Sequence, residues 1–492
     1  MEILIWVLIS SIFLFIAYKY LDIAVTLFVC AVTLFSRDFV HLHFPGTPIY
    51  STELFLILIA LSIALKWLKS RPIQLPDFSL KYPFLLLYLI AAVALTRGLF
   101  IYSDKVFVLR QAALFYYSIL YFILPLAYND INKIKRFIYS YIICCAVIVI
   151  VWLSKAYFTD IGSFGNIYLA VGILIMTAVV EKNKLVRTGF LLISGLGAVY
   201  IVDDMVRAVW VAVIGTIALA LALSFVGEKF KRVAMNFTFK VVPISVLFVL
   251  GYFALNSQNI APFFSKIISI NPFVGAKHNP AQGPYLVKEN IPANPSKDDM
   301  KGFGSVAYPA QTSKGVIYNF REIMVKAQVG QPSVNTRWRL LCWKDIIIES
   351  FKKPLMGWGF GKKFIPESIV KLGWGGSWGE QGFQDPHNSY LSVFYRTGLI
   401  GLSIFVFIIL YFIYKTIIFI MSSIDSTNVF MAIAFLLVFI FINAVSMFMV
   451  VLEGPFLGIF LWLSMGFVES LMNIEKKTSF KDQDVLITQI KQ

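Results

Sequence analysis

The sequence predicts an all-α polytopic membrane protein of 12–13 transmembrane helices, with one large outer loop containing short helices. Three observations lead there. Of the 492 residues, 59% are hydrophobic and only 14% are charged; a soluble chain of this length would fold as two or three domains with polar faces on most elements. Apolar runs of roughly 16–22 residues recur, enough to cross a hydrocarbon core about 30 Å thick at about 1.5 Å per residue. Lys and Arg collect in alternate connections between the runs, the bias that marks one side of a membrane.

The spans follow in order. The first run, at 3–17, lacks a basic n-region, since Glu2 is the only early charge, and lacks a small-x-small cleavage site. A second run at 21–36 follows at once, so the first is read as a retained span. Spans at 52–68 and 82–98 are joined by a connection holding Lys66, Lys69, Arg71 and Lys81. Those at 106–127 and 137–155 flank Lys133, Lys135 and Arg136, and those at 164–180 and 188–203 flank Lys182, Lys184 and Arg187. The pair at 206–226 and 236–255 encloses Lys229, Lys231 and Arg232. Three more, at 391–413, 428–450 and 455–472, lead to a tail bearing Lys476, Lys477, Lys481 and Lys491.

By the positive-inside bias these basic connections are cytoplasmic. The N-terminus and residues 256–386 then lie outside, and the C-terminus lies in the cytoplasm. Should the first run rest in the interface instead of spanning, the total becomes twelve and the N-terminus moves inside; the long loop keeps its side. The chain thus divides into N-terminal spans at 1–255, a large loop at 256–386, C-terminal spans at 387–472 and a tail at 473–492.

The loop carries 16 Lys or Arg against 9 Asp or Glu and 11 of the chain's 19 prolines. Such proline density, greatest between Pro262 and Pro332, opposes long helices. Residues 335–351 read differently: Arg337, Arg339, Leu340, Trp343, Ile346, Ile347 and Phe351 predict an amphipathic helix ended by Pro354. A basic loop outside the membrane is not a nucleic-acid surface. Its natural counterparts are anionic lipid headgroups, diphosphates and acidic glycans, or simply solvent. The cysteines imply neither a disulfide framework nor a metal site: Cys30, Cys144 and Cys145 sit in apolar runs, and Cys342 is alone in the loop.

Chemistry concentrates in a few places. Asp385-Pro386-His387-Asn388 reads as a helix start, with Asp as N-cap and Pro at the first helical position. His387 then falls in the first turn at a water–membrane boundary. The positive helix end there disfavours imidazolium, leaving a ring able to accept a proton; a structural hydrogen-bonding histidine is the plainer alternative. Arg207 stands at the outer end of a span, where cations are rare and functional by default, although Asp203 and Asp204 are within ion-pairing reach. Arg339, or Arg337, precedes Trp343, and Pro354 opens a run with Gly357, Gly359 and Gly361 whose N–H groups could face an anion or merely form a turn. Trp374 and Trp378 suit sugar stacking and interfacial anchoring equally. His41, His43 and His278 have no such context and read as surface residues.

Several of these runs resemble the signature of the bacterial O-antigen ligase/polymerase family. His387-Asn388 is followed by nine residues and then by Gly398-Leu399-Ile400-Gly401. The stretch around Arg207 is similar to the family's Arg-small-x-aromatic run, with Val206 where Ser or Thr is common. Arg339-x-x-x-Trp343 followed by Pro354-x-x-Gly357-x-Gly359-x-Gly361 looks like a third motif. Residues 162–170 look like a fourth, with Ile167 where Pro is common. The likeness covers roughly 160–210 and 335–403.

The resemblance implies a glycosyltransferase of the bacterial inner membrane whose active site faces the periplasm, which makes the outer loop periplasmic. It implies inverting transfer of a glycan from undecaprenyl diphosphate to an acceptor hydroxyl, independent of metal, nucleotide or other cofactor. His387 would be the general base, and Arg207 with Arg339 (or Arg337) would hold the diphosphate. Asn388, Gly398, Gly401, Trp343, Gly357 and Gly359 would support them. The partners implied are the lipid-linked glycan, membrane lipids, and either a lipid A–core acceptor or a second lipid-linked glycan. One long outer loop favours ligation to lipid A–core. Polymerisation of repeat units, transfer to a protein hydroxyl, and transport of lipid-linked glycans are the alternatives.

Overall fold

The computed structural model describes residues 2–45, 47, 49–69, 76–153, 183–204, 207–225, 227–236, 242–255, 332–371, 386–449 and 451–490. Among them the protein is all-helical, with an isolated β-bridge between His43 and Tyr50. The chain divides into two compact units. One comprises Met1–Phe263, Glu349–Lys362 and His387–Gln492, and the other Phe264–Ile348 and Lys363–Pro386. Residues 349–362, which the sequence placed in the loop, therefore cluster with the spans.

The first unit begins with α1 (Glu2–Lys19), α2 (Leu21–His41), α3 (Ser51–Lys69) and α4 (Lys81–Ile101). A broken span follows, α5 (Lys105–Gln111) and α6 (Ala113–Ala127), bent by 44°. Then come α7 (Ile131–Leu153), α8 (Lys184–Asp204), α9 (Arg207–Ser224), α10 (Glu228–Asn236) and α11 (Val242–Leu255). Helix α12 (Pro332–Ser350) runs across the division between the units, and α13 (Glu367–Lys371) lies in the second. The first unit closes with α14 (Ser389–Ser422), α15 (Ser426–Ser446) and α16 (Pro455–Ile490).

Every span expected from the sequence coincides with a helix, except that at 164–180, which lies outside the described residues. Among the described residues six helices are long and apolar enough to cross a membrane, or seven with the bent pair counted as one span. The protein is thus a multi-pass membrane protein; twelve or thirteen crossings remain an expectation from hydropathy. Two boundaries are corrected. Helix α14 runs nine residues past 413, and α16 runs to Ile490 through what was read as a tail. At that end Glu475 on α16 accepts the Ser423 hydroxyl and the Ile424 N–H (3.2 Å), while Lys476 pairs with Asp77 at 3.3 Å. Polar side chains continue the helix by holding it to its neighbours.

Burial orders the helices. In its apolar stretch α16 is 83% buried, whereas α1 is 11% buried. Helix α16 packs on α15 and α6, α14 packs on α4, and α1 packs on α2 and α3. Leu4, Leu8 and Phe15 of α1 are exposed, which in a bilayer makes them a lipid-facing surface. Within the packed centre α16 carries a carboxylate, Glu469, and a charge there is costly unless partnered. It accepts the Ser79 N–H (3.0 Å), the Ser79 hydroxyl (2.7 Å) and the Tyr121 hydroxyl (2.9 Å). These bonds pin the connection before α4 to α16.

The feature that positions the site is a break in α14. At Gly398 the backbone adopts φ 71°, ψ −171°. The helical hydrogen bonds from Leu399 to Tyr395 and from Ile400 to Arg396 are replaced by four others. Leu399 and Ile400 donate to the carbonyls of Pro354 (2.7 Å) and Leu355 (3.3 Å), while Trp358 and Gly359 donate to those of Tyr395 (2.8 Å) and Arg396 (2.9 Å). Residues 354–359 thereby fill the break, leaving none of these groups to hydrocarbon.

Close approach requires glycine at these points. A Cβ at Gly398 would stand 2.2 Å from the Leu355 carbonyl oxygen, and one at Gly357, itself at φ 61°, would stand 2.5 Å from the Arg396 carbonyl carbon. Gly398→Ala and Gly357→Ala are each expected to cost about 1–3 kcal/mol in backbone strain alone. Gly215→Ala, where a Cβ meets nothing within 4 Å, should leave the melting temperature in detergent unchanged or raised. Equal melting temperatures for all three variants would refute the docking role.

Candidate functional site

Asn388 is the N-cap of α14: its backbone is extended and its Oδ1 accepts the Leu391 N–H at 3.1 Å. This corrects the sequence reading of Asp385 as the cap. An Asn side chain satisfies the orphan amide of the first turn, so the helix starts at Ser389. His387 therefore stands just before the cap and not in the first turn; Asp385 lies outside the described residues. The His387 φ is 50°, a region that residues other than glycine enter uncommonly. The half-buried ring is thus carried by a turn with its own fixed geometry, and the helix dipole acts on it from outside the helix.

The next residue fastens that turn. The Ser389 hydroxyl donates to Glu453 Oε2 at 2.9 Å and accepts the N–H groups of Val451 (3.3 Å) and Leu452 (3.4 Å). The other Glu453 oxygen faces the Arg396 guanidinium at 3.5 Å, and both side chains are almost wholly buried, at 4% and 8% exposure. Tyr390 adds a bond to Asn443 Oδ1 of α15 at 2.8 Å. One carboxylate thus ties the start of α14, its second turn and the loop before α16 together.

The glycine run is committed to the protein. Gly357 donates to the Lys353 carbonyl, Trp358 and Gly359 fill the α14 break, Phe360 donates to the Ala94 carbonyl, and Gly361 donates to Gln111 Oε1 at 2.6 Å. None of these five N–H groups is left to face an anion, which favours the turn over the anion site of the two sequence alternatives. Arg97 of α4 adds a bond to the Gly357 carbonyl at 2.7 Å. The exposed side of the run is cationic: Lys353 and Lys362 lie over the Trp358 ring, 4.3 and 3.0 Å from its centroid. Lys362 also pairs with Glu349 at 3.2 Å. Burial pushes the Glu349 carboxyl up, but the neighbouring Lys352 and Lys362 outweigh it and hold the group below the usual carboxylate value.

The family model described as O-antigen ligase matches residues 190–406. That stretch is O-antigen ligase-like. No curated protein and no solved structure matches the chain. The matched stretch contains Arg207, α12, the glycine run and His387 through Gly401. It excludes Arg97 and Glu453, which brace those motifs from either side, and it excludes the run at 162–170, which lies outside the described residues.

Arg207 is the first residue of α9, and Arg337 belongs to α12; the side chains of both lie outside the described residues, as do Trp374, Trp378 and His278. Arg339 is half-buried on α12, in the second unit. In that unit Trp343 donates its indole N–H to the Pro386 carbonyl at 2.9 Å, and Asp345 accepts the Ser368 N–H (2.6 Å) and hydroxyl (2.7 Å), joining α12 to α13. Cys342 and Ile346 are buried on one side of α12, whereas Leu340, Ile347 and Phe351, expected on its apolar face, are exposed. Burial, with Asp345 beside it, pushes the Cys342 thiol up to about 12, making it a poor nucleophile.

Sequence reasoning missed Arg396, Glu453 and Arg97. A buried ion pair contributes little net stability, but removing one partner strands the other at about 3–5 kcal/mol. Arg396→Met and Glu453→Leu should each lose folded protein by that margin. The double variant should recover most of it, as detergent melting of all three would reveal. The Glu349 pairs predict a pH dependence: with a depressed folded value, their contribution is full above the unfolded carboxylate value and vanishes as pH falls through the lowered one. Acid titration of the melting temperature should be flatter in Glu349→Gln than in the parent.

Proposed function

We propose that the protein is a membrane glycosyltransferase that moves a glycan from undecaprenyl diphosphate to an acceptor hydroxyl at the periplasmic face of the inner membrane, with lipid A–core as acceptor. The observation that carries this reading is the His387-Asn388 turn, held by Asn388, Ser389 and Glu453, inside the stretch that matches O-antigen ligase. Ligation is favoured over polymerisation because one long connection, 256–386, stands on the outer side.

In this scheme the acceptor oxygen attacks the anomeric carbon as the bond from that carbon to the diphosphate oxygen breaks, its electron pair leaving with undecaprenyl diphosphate. His387 takes the proton of the acceptor hydroxyl. Arg207 and Arg339, with Arg337 as the alternative to Arg339, bind the diphosphate, because a guanidinium fork pairs bidentately with phosphate oxygens and keeps its charge. They stabilise the charge that grows on the leaving group. Attack from the face opposite the diphosphate inverts the anomeric configuration.

His387→Ala should lower transfer by about 10²–10⁴-fold while the purified protein still binds lipid-linked donor. Undiminished transfer would remove His387 from the reaction. Arg207→Lys, which keeps charge but loses the fork, should reduce transfer well below parent levels; full activity would end the clamp assignment. Purified protein given lipid-linked donor with either lipid A–core or a second lipid-linked repeat should glycosylate the former. Chain growth on the latter alone would make it a polymerase.

A further inference from the structure

The first unit contains a cavity of about 450 Å³ formed entirely by residues before the O-antigen ligase match. Its volume falls within the roughly 300–1,000 Å³ of small-molecule sites. It opens where α1 ends, α2 begins, α3 ends and α7 begins, which is the basic end of these spans. Its polar lining is Lys19, Lys66 and Lys133, with Tyr18, Asp22 and Asn129. Three ammonium groups thus face one carboxylate, and that carboxylate is already engaged by Arg136 at 3.3 Å.

The lysines are placed and not merely nearby. Lys133 donates to Asn129 Oδ1 at 3.1 Å, Lys66 lies over the Tyr18 ring at 5.8 Å, and Lys19 lies over the Phe15 ring at 5.4 Å. Three cations gathered in one concavity repel one another, and a multivalent anion between them removes that repulsion. The rest of the lining includes Leu21, Ile63 and Leu126. Exposed Phe15, Trp67 and Leu68 mark adjoining surface that in a bilayer meets lipid at headgroup depth.

We infer that this cavity binds a phosphate group, carried by an acidic phospholipid of the leaflet on the basic, cytoplasmic side. The phosphate oxygens take the three ammonium groups, and the glycerol and upper acyl carbons lie on Leu21, Ile63 and Leu126. Basic pockets between spans on the cytoplasmic side are suited to lipid phosphates. The bound headgroup links α1–α3 to α6 and α7 at a place where the carboxylate in the lining, Asp22, is already paired with Arg136. This site stands apart from the proposed transfer chemistry, since none of its residues belongs to that machinery.

The experiment is native mass spectrometry with melting curves on the full chain. The lipid arm uses cardiolipin or phosphatidylglycerol, phosphatidylcholine is the zwitterionic control, and inorganic pyrophosphate is the free-phosphate arm. Parent protein should retain and be stabilised by the acidic lipids more than by phosphatidylcholine. Lys66→Gln with Lys133→Gln should weaken that retention about fivefold per lysine removed, and Lys66→Arg with Lys133→Arg should keep it. Stabilisation by pyrophosphate as strong as that by lipid would assign the phosphate to a soluble ligand and overturn the lipid source. Equal retention of acidic lipid and pyrophosphate by the parent and the glutamine variant would overturn the site.

Discussion

A backbone that leaves helical geometry inside a membrane must find every released hydrogen bond a partner within the protein. This constraint governs the region around His387. The break at Gly398 frees two N–H groups and two carbonyls, and residues 354–359 supply a partner for each. Much else is arranged to keep that insertion in place: Arg97 holds the run from α4, Gln111 takes its last amide, and glycine stands at 98, 357 and 398, where a Cβ would strike facing backbone. The two glycine motifs, some forty residues apart in the chain, are the two halves of one joint.

The joint and the histidine turn share a second support. Arg396 lends its carbonyl to the insertion and its guanidinium to Glu453, and Glu453 reaches back to Ser389, next to the Asn388 cap. Backbone break, buried charge pair and helix cap therefore form one continuous structure. A rigid turn suits a group that must hold one position while a flexible glycolipid approaches, because orientation lost at the base is lost from the rate. Charges outside this structure are divided between the two ends of the spans. Lys353 and Lys362 flank Trp358 beside the joint, and Lys19, Lys66 and Lys133 surround the cavity at the basic end.

Several elements were legible before any coordinates. Hydropathy located helices to within a few residues for α1, α3 and α4, because a lipid-facing helix must be apolar over its whole length. It was poorer at α14 and α16, whose ends are decided by polar contacts to distant residues such as Glu475 and Asp77. The helix start near His387 was recognised, but its cap was misplaced by three residues. Asp385 and Asn388 are both good caps in sequence, and the Leu391 N–H of the first turn donates to Asn388. The glycine run left two readings open in sequence, donors for an anion or a turn, since nothing local reveals that Tyr395, Arg396 and Ala94 supply the acceptors.

By itself the sequence determined the class of protein, most of its helices, the sidedness its charges favour, and the motifs that resemble those of O-antigen ligases, in a region that overlaps the family match at 190–406. These are properties of composition, spacing and period, all of which are local. Only the tertiary structure decided that the glycines close a helix break, that Glu453 and Arg396 support the histidine turn, and that three lysines from separate helices surround one cavity. Each depends on contacts between residues tens to hundreds of positions apart, which packing in a low-dielectric interior selects and no local pattern encodes.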